Sequence, residues 1–242
     1  MHSTGSLTHN GGGDAQAIAS MTKYALTTYN GDANRVFAVG TSSGAMMINV
    51  LAGSYPDLYA GCAGFAGVPF GCFAGSSMWN SECATGQVSK TGAQWGDMVR
   101  AAYPGYTGRR PKMQLWHGTN DATLSYNNFN EAVKQWTNVF GVSETPTSTQ
   151  TNSPLSGWTR KSYGPNLQAI SAQGVSHDIQ VQAADVLSFF GLNTAGPTPT
   201  GTPTTSAAPS STTAPASGTV AKYGQCGGIG HTGRKSRSSN LD

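Results

Sequence analysis

Three residues, in the order serine, acid, histidine, have the types and positions that acyl transfer needs: Ser42, Asp121 and His177. Ser42 stands in Gly40-Thr41-Ser42-Ser43-Gly44, after the apolar run Val36 to Val39 and before the small apolar stretch AMMINVLAG. A Gly-x-Ser-x-Gly between a strand and a helix puts the serine on a tight, strained turn, and its glycines let helix and strand approach closely. With 32 glycines in the chain, a glycine-rich turn without chemistry is the competing reading of the motif. Asp121 follows the apolar run Lys112 to Trp116, and His177 follows an apolar run ending at residue 172. In such an arrangement His177 would take the proton of the Ser42 hydroxyl as it attacks an ester carbonyl. Asp121 would fix the imidazole tautomer and stabilise its charged form. The backbone N–H of Ser43, the residue after the nucleophile, would be one oxyanion donor.

Other titratable residues fit these roles less well. His117 ends the same strand that leads to Asp121 and reads as structural or pocket-lining. His2, His9 and His231 fall in loops or the tail, where a solvated histidine is expected; Asp178 adjoins His177 and would point elsewhere. Asp97 and Asp185 lie in helical patterns and read as solvated. Among the cysteines, Cys72 and Cys83 are spaced for a short disulfide loop, and Cys62 reads as merely buried. With no C-x-x-C pair and no nearby histidine pair, the pattern is not that of a zinc site, and no cofactor is called for.

The elements that must position these residues follow from periodicity. A helix over 15–29 is expected, with Asp14 as its cap and Ile18, Met21, Ala25 and Tyr29 on one face. The helix after Ser42 is apolar almost all round, which predicts burial in a large core. Residues 58–68 read as a buried strand, and 69–110 as irregular, with a short helix near Gln94 to Ala102 and the character of a pocket rim. Phe129, Val133, Trp136 and Phe140 make a core stripe on a helix over Asn127 to Phe140. Strands are expected over 157–163 and 167–172, and a closing helix over Val181 to Phe190. Strands alternating with helices, led by a serine elbow, predict an α/β class: an α/β-hydrolase sheet. Only 35 residues precede the elbow strand, without a convincing strand among them. The sheet is therefore expected to lack its early strands, and the second oxyanion donor, which normally comes from an early loop, to be absent from the chain.

Composition bounds the organisation. The formal net charge is +3, and Lys222, Arg234, Lys235 and Arg237 against Asp242 supply all of it. Residues 1–193 are therefore neutral, with no basic face for nucleic acid. Apolar runs are too short for a membrane span, so no membrane partner is expected. From Thr194 to Ala221 the chain carries nine Thr, five Pro, four Ser, six Ala and no charge. This segment, 194–221, reads as an extended disordered linker between a domain over 1–193 and a remnant over 222–242. The N-terminus has neither a positive nor an apolar segment of the signal-peptide kind, whereas the cysteine spacing and the mucin-like linker suggest secretion.

The motifs HSTGSLTHNGGGDAQAIASM, VGTSSGAMM, AGSYPDLYAG, GVPFGCFAG, QWGDMVRAAYPGYTGRRPKMQLWHGTNDATL, KQWTNVFGV and ISAQGVSH occur in order. Together they resemble fungal acetylxylan esterases of carbohydrate esterase family 1, relatives of feruloyl esterases and polyhydroxybutyrate depolymerases. The resemblance covers about residues 2–192. It implies a secreted, extracellular serine esterase that removes acetyl groups from plant cell-wall xylan, with Ser42, Asp121 and His177 as its triad; a monomer is expected. It also implies that the chain starts inside the family pattern and is N-terminally incomplete. The segment KYGQCGGIGHTG resembles the opening of a fungal family 1 cellulose-binding module, with Tyr223 and Cys226 in place. His231 stands where that pattern has tryptophan, and the pattern stops after Gly233, so weak or no cellulose binding is expected and Cys226 is left without a partner. The alternatives are a feruloyl esterase, a serine peptidase on the same fold, or a catalytically inactive fragment that displays Trp79, Trp95 and Trp116 to carbohydrate.

Overall fold

The computed structural model describes residues 4–193. The expectations for His2, for the linker over 194–221 and for the remnant over 222–242 with Tyr223, Cys226 and His231 lie outside the described residues. A 3-10 turn (Thr4–Leu7) leads into α1 (Gly13–Thr28), β1 (Phe37–Thr41), α2 (Ser43–Ser54) and β2 (Gly61–Phe65). Then come α3 (Ser81–Ala84), α4 (Gly92–Ala101), β3 (Lys112–Gly118) and α5 (Asn127–Phe140). The described part ends with β4 (Ser148–Thr151), β5 (Trp158–Ser162), β6 (Leu167–Ala172) and α6 (Ala183–Phe190).

The six strands form one sheet in the order β1-β2-β3-β6-β5-β4. β1, β2, β3 and β6 run parallel, while β5 is antiparallel to β6 and β4 to β5. Strands alternate the faces of their side chains, and the core divides accordingly. Cys62, Met113, Leu115, Leu167 and Ala169 face α1, α2, α4 and α5. Ala63, Phe65, Trp116, Ile170 and Ala172 face α6 through Val186 and Phe190. The parallel centre of the sheet, β2, β3 and β6, is thus covered on both sides, as a parallel sheet requires, while Val39 at the β1 edge is 49% exposed.

α2 carries no charge and buries every residue from Ile48 to Ser54, because it lies between the sheet and the outer helices. α5 buries Phe129, Val133 and Trp136 along the predicted stripe, with Phe140 packed at its end. Its Glu131 is only 2% exposed. Burial raises this carboxyl, but bonds from Lys134, Trp95, the Lys90 N–H and Ser89 outweigh it and hold the group below the usual carboxylate range. Cys62 is buried as expected, and burial pushes its thiol up to about 12. Cys72 and Cys83 form the disulfide that their spacing suggested.

Several expectations are corrected. The buried face of α1 is formed by Ala15 and Ala19, while Met21 and Tyr29 are 62% and 77% exposed. Small side chains let this helix approach its neighbours closely; of the expected face Ile18 does pack against the core, as does Leu26, while Met21 and Tyr29 turn outward. Its cap is Gly12 rather than Asp14: Gly12 turns the chain at φ 80, and its N–H donates to Gln16 Oε1. β4 was not expected, because Ser148 to Thr151 is exposed throughout and has no apolar alternation to mark it. Asp185 is not solvated but pairs with Arg160 and accepts from Gln114 on the α6 side of the sheet. His9 is held as well, stacked 3.8 Å from Tyr103 with Nδ1 bonded to the Ser54 carbonyl. Trp95 and Trp116 are 0% and 1% exposed and present no surface to a carbohydrate; of the three tryptophans named for that role, Trp79 alone is outside the core.

Candidate active site

Parallel strands deliver their carboxyl ends to one edge of the sheet, and all three candidate residues follow such ends. β1 ends at Thr41, and Ser42 makes the turn into α2 with φ 57 and ψ −119. That is a sparsely populated conformation for a non-glycine residue, costing about 1–3 kcal/mol that the surrounding structure must offset. Two bonds hold the turn: Ser42 N–H donates to Phe65 O at 2.8 Å, and Met46 N–H donates to Ser42 O at 3.0 Å. Gly40 is required by packing, since a Cβ there would meet the Gly44 carbonyl carbon at 2.5 Å. Ser43 is the first residue of α2, and the first N–H groups of a helix have no acceptor within it.

β3 and β6 are neighbours, paired from Met113↔Leu167 to Gly118↔Ala172. The loops after them therefore lie side by side, joined by Asn120 N–H to Val175 O at 2.9 Å. This brings Asp121 and His177 together across 56 residues: His177 Nδ1 is 2.8 Å from Asp121 Oδ2. On the other side of the ring, His177 Nε2 is 2.9 Å from Ser42 Oγ. Asp121 can only accept, so Nδ1 carries the hydrogen and Nε2 is left free to accept the serine proton. Ser42, Asp121 and His177 thus stand in one hydrogen-bonded line.

The Asp121 side chain is fully buried, and burial alone would raise its carboxyl. Donors outweigh it. His117 and His177 donate from their rings, and the N–H groups of Thr123 and Leu124 reach Oδ1 at 2.9 and 2.8 Å. The result is a value lowered from an ordinary 3.8 to about 2. Because the folded-state value is depressed, the ionised form is the one the fold favours. Its stabilisation is complete above 3.8 and is lost as pH falls through about 2. Asp121→Asn is therefore expected to cost about 2 kcal/mol near neutral pH, the difference from the parent shrinking below pH 3.8. Urea unfolding of both proteins along a pH series checks it.

A cavity of about 300 Å³ opens beside Ser42 and Ser43. It is lined by Met46, Met47 and Val50 of α2, and by Phe73, Met78 and Trp79. Those last three lie inside the loop closed by Cys72–Cys83, and Phe73 and Trp79 meet edge to face at 5.2 Å. The rim expected over 69–110 is thus partly real, but the α2 methionines and Leu7 were not foreseen as lining residues. Sequence did hold a signal for Met46 and Met47, which follow the elbow serine by four and five residues. Among the described residues no group of three or more His, Cys, Asp or Glu could hold a metal ion.

Comparison with known proteins agrees with this geometry. A family model described as "Esterase PHB depolymerase" matches residues 4–152. Feruloyl esterase B of Talaromyces funiculosus is 46% identical over 239 residues, covering 96% of this chain and 67% of that protein. Acetylxylan esterase A of Emericella nidulans is 47% identical over 197 residues, covering 79% of this chain and 65% of that protein. The chain thus spans about two thirds of the length of these relatives. Among solved structures, the acetyl xylan esterase from Aspergillus awamori superposes with a TM-score of 0.77 at 40% identity, covering 79% of this chain and 72% of that one. From the sheet to the serine turn, fold and sequence lead to one assignment: the chain belongs to the esterase PHB depolymerase family.

Proposed function

We propose that the chain is the catalytic part of a serine carboxylic ester hydrolase that removes acetyl groups from xylan. The observation that carries this reading is the unbroken line from Ser42 Oγ through His177 to Asp121. In the first step His177 Nε2 takes the hydroxyl proton as Ser42 Oγ bonds to the ester carbonyl carbon. The oxyanion that forms lies against the Ser43 N–H at the positive end of α2. As the tetrahedral intermediate collapses, its bond to the sugar oxygen breaks and His177 returns the proton to that oxygen. Water then repeats the sequence on the acyl-serine, releasing the acid and restoring Ser42. Asp121, held ionised, supports the imidazolium in both steps.

Relatives named acetylxylan esterase and feruloyl esterase flank this reading. The disulfide supports an oxidising, extracellular setting, and no helix among the described residues is long and apolar enough to cross a membrane. We read the enzyme as a monomer. Acetate release from acetylated xylan tests the activity, and no acetate from correctly folded protein would overturn it. One observation favours a second reading: the cavity beside Ser42 is far larger than an acetyl group and is lined by Met46, Met47, Phe73 and Trp79. Such a surface suits an aromatic acyl group of the feruloyl kind. Parallel kcat/KM values on acetylated xylan and methyl ferulate separate the two, and a value for methyl ferulate above that for xylan acetate would favour the second.

A further inference from the structure

His117 has no part in the line from Ser42 to Asp121, yet it touches it. Its ring is 1% exposed at the end of β3. Tyr126 and Phe129 stand edge-on to the ring, with centroids 6.1 and 6.2 Å away. Its Nε2 lies 2.8 Å from the Leu124 carbonyl oxygen and 3.1 Å from Asp121 Oδ2. Both neighbours are acceptors, so Nε2 carries a hydrogen that the two share. The oxygen it approaches is the one that receives His177 Nδ1–H. Asp121 therefore has two backbone donors on Oδ1 and two histidines on Oδ2, and the carboxylate has no freedom to turn about its Cβ–Cγ bond.

We propose that His117 is a positioning residue for acyl transfer: its Nε2–H clamps Asp121 Oδ2 against the Leu124 carbonyl, and the clamped carboxylate aims His177 at Ser42. The inference rests on reading Ser42, His177 and Asp121 as one catalytic unit. A histidine kept only to fill space would not need its donor at the oxygen that orients His177. Removing the clamp leaves Oδ2 with one donor and the Leu124 carbonyl without its partner. The ground-state complex with substrate is untouched, because His117 does not line the cavity beside Ser42. The loss should therefore fall on kcat and not on KM.

Side-chain geometry supplies the test. A glutamine amide nitrogen is as many bonds from the backbone as His Nε2, and its two hydrogens can serve both acceptors. An asparagine nitrogen reaches only the Nδ1 position. With p-nitrophenyl acetate and the full chain, His117→Gln is expected to keep kcat within about threefold of the parent. His117→Asn and His117→Leu should lose about 10- to 100-fold in kcat with KM within about twofold. Glutamine as damaging as leucine, or leucine harmless, overturns the inference. If the leucine variant does not fold, the Gln and Asn pair carries the comparison. Nitrogen-15 spectra of the unsubstituted protein give an activity-independent readout, in which His117 must show its hydrogen on Nε2. A neutral Nδ1–H tautomer overturns the clamp whatever the kinetics say. Hydrolysis retained by Ser42→Ala would instead sink the catalytic unit itself, leaving the tautomer to judge His117 alone.

Discussion

Ser42→Ala is expected to lower kcat/KM on p-nitrophenyl acetate by about 10⁴- to 10⁶-fold, leaving only what binding and a backbone donor provide. The reason is chemical: without Oγ no acyl-enzyme forms, and His177 Nε2 at 2.9 Å from that atom loses the proton it is placed to take. Folding should not suffer, because the two bonds that hold the turn come from the backbone of residue 42 and not from its side chain. A glycine at the same position separates chemistry from strain. At φ 57 a residue without Cβ is relieved of its steric cost, so Ser42→Gly should be as inactive as the alanine variant and more stable than it. Thermal melts and initial rates on the three proteins check both parts. Retained activity in Ser42→Ala would overturn the nucleophile assignment.

Gly118→Ala is expected to cost about 100-fold in kcat although residue 118 touches no substrate. Gly118 ends β3 where the loop after β6 crosses it. A methyl there would overlap the Val175 carbonyl oxygen and come within 2.6 Å of that of Ser176. Neither is a flexible side chain that can turn away. The Val175 oxygen is also bonded to Asn120 N–H, and Gly174 N–H donates to Thr119 Oγ1 at 2.8 Å, so the two loops must shift together or separate. His177, one residue past Ser176, would move with its loop and away from Asp121 or Ser42. Rates together with the melting temperature distinguish this from general instability: a folded variant should be slow, and one with the parent's kcat would show that the loop can yield without carrying His177.

What could be read from sequence divides along physical lines. Local patterns were legible: α5 begins and ends at the residues that periodicity indicated, and the strand before Asp121 and the strand before His177 were both placed. The order of Ser42, Asp121 and His177 sufficed to name three residues that the structure brings together, since parallel strands leave little choice of edge. Strand order was not legible, because pairing β3 with β6 depends on contacts more than fifty residues apart. β4 was invisible because Ser148–Thr151 is held by its partner strand and not by a buried face. Met21 and Tyr29 misled the reading of α1, since periodicity shows that a helix has an apolar face but not that the small residues beside it are the ones that pack. Asp185 looked solvated for a similar reason: it lies in α6 while its partner Arg160 is on β5, and nothing in the sequence pairs them.

The covalent link between Cys72 and Cys83 divides labour across the cavity. The wall that carries Ser42, Met46 and Met47 is set by the sheet and by a helix buried along its second half, so it persists as long as the domain does. The part of the lining with Phe73, Met78 and Trp79 belongs to the stretch from Cys72 to Cys83, whose two ends are tied to each other. Breaking that tie in a reducing medium would leave bond cleavage intact while slackening the contour against which an acyl group is measured. Discrimination between large and small esters would then depend on the thiol chemistry of the surroundings, whereas the capacity to hydrolyse them would not.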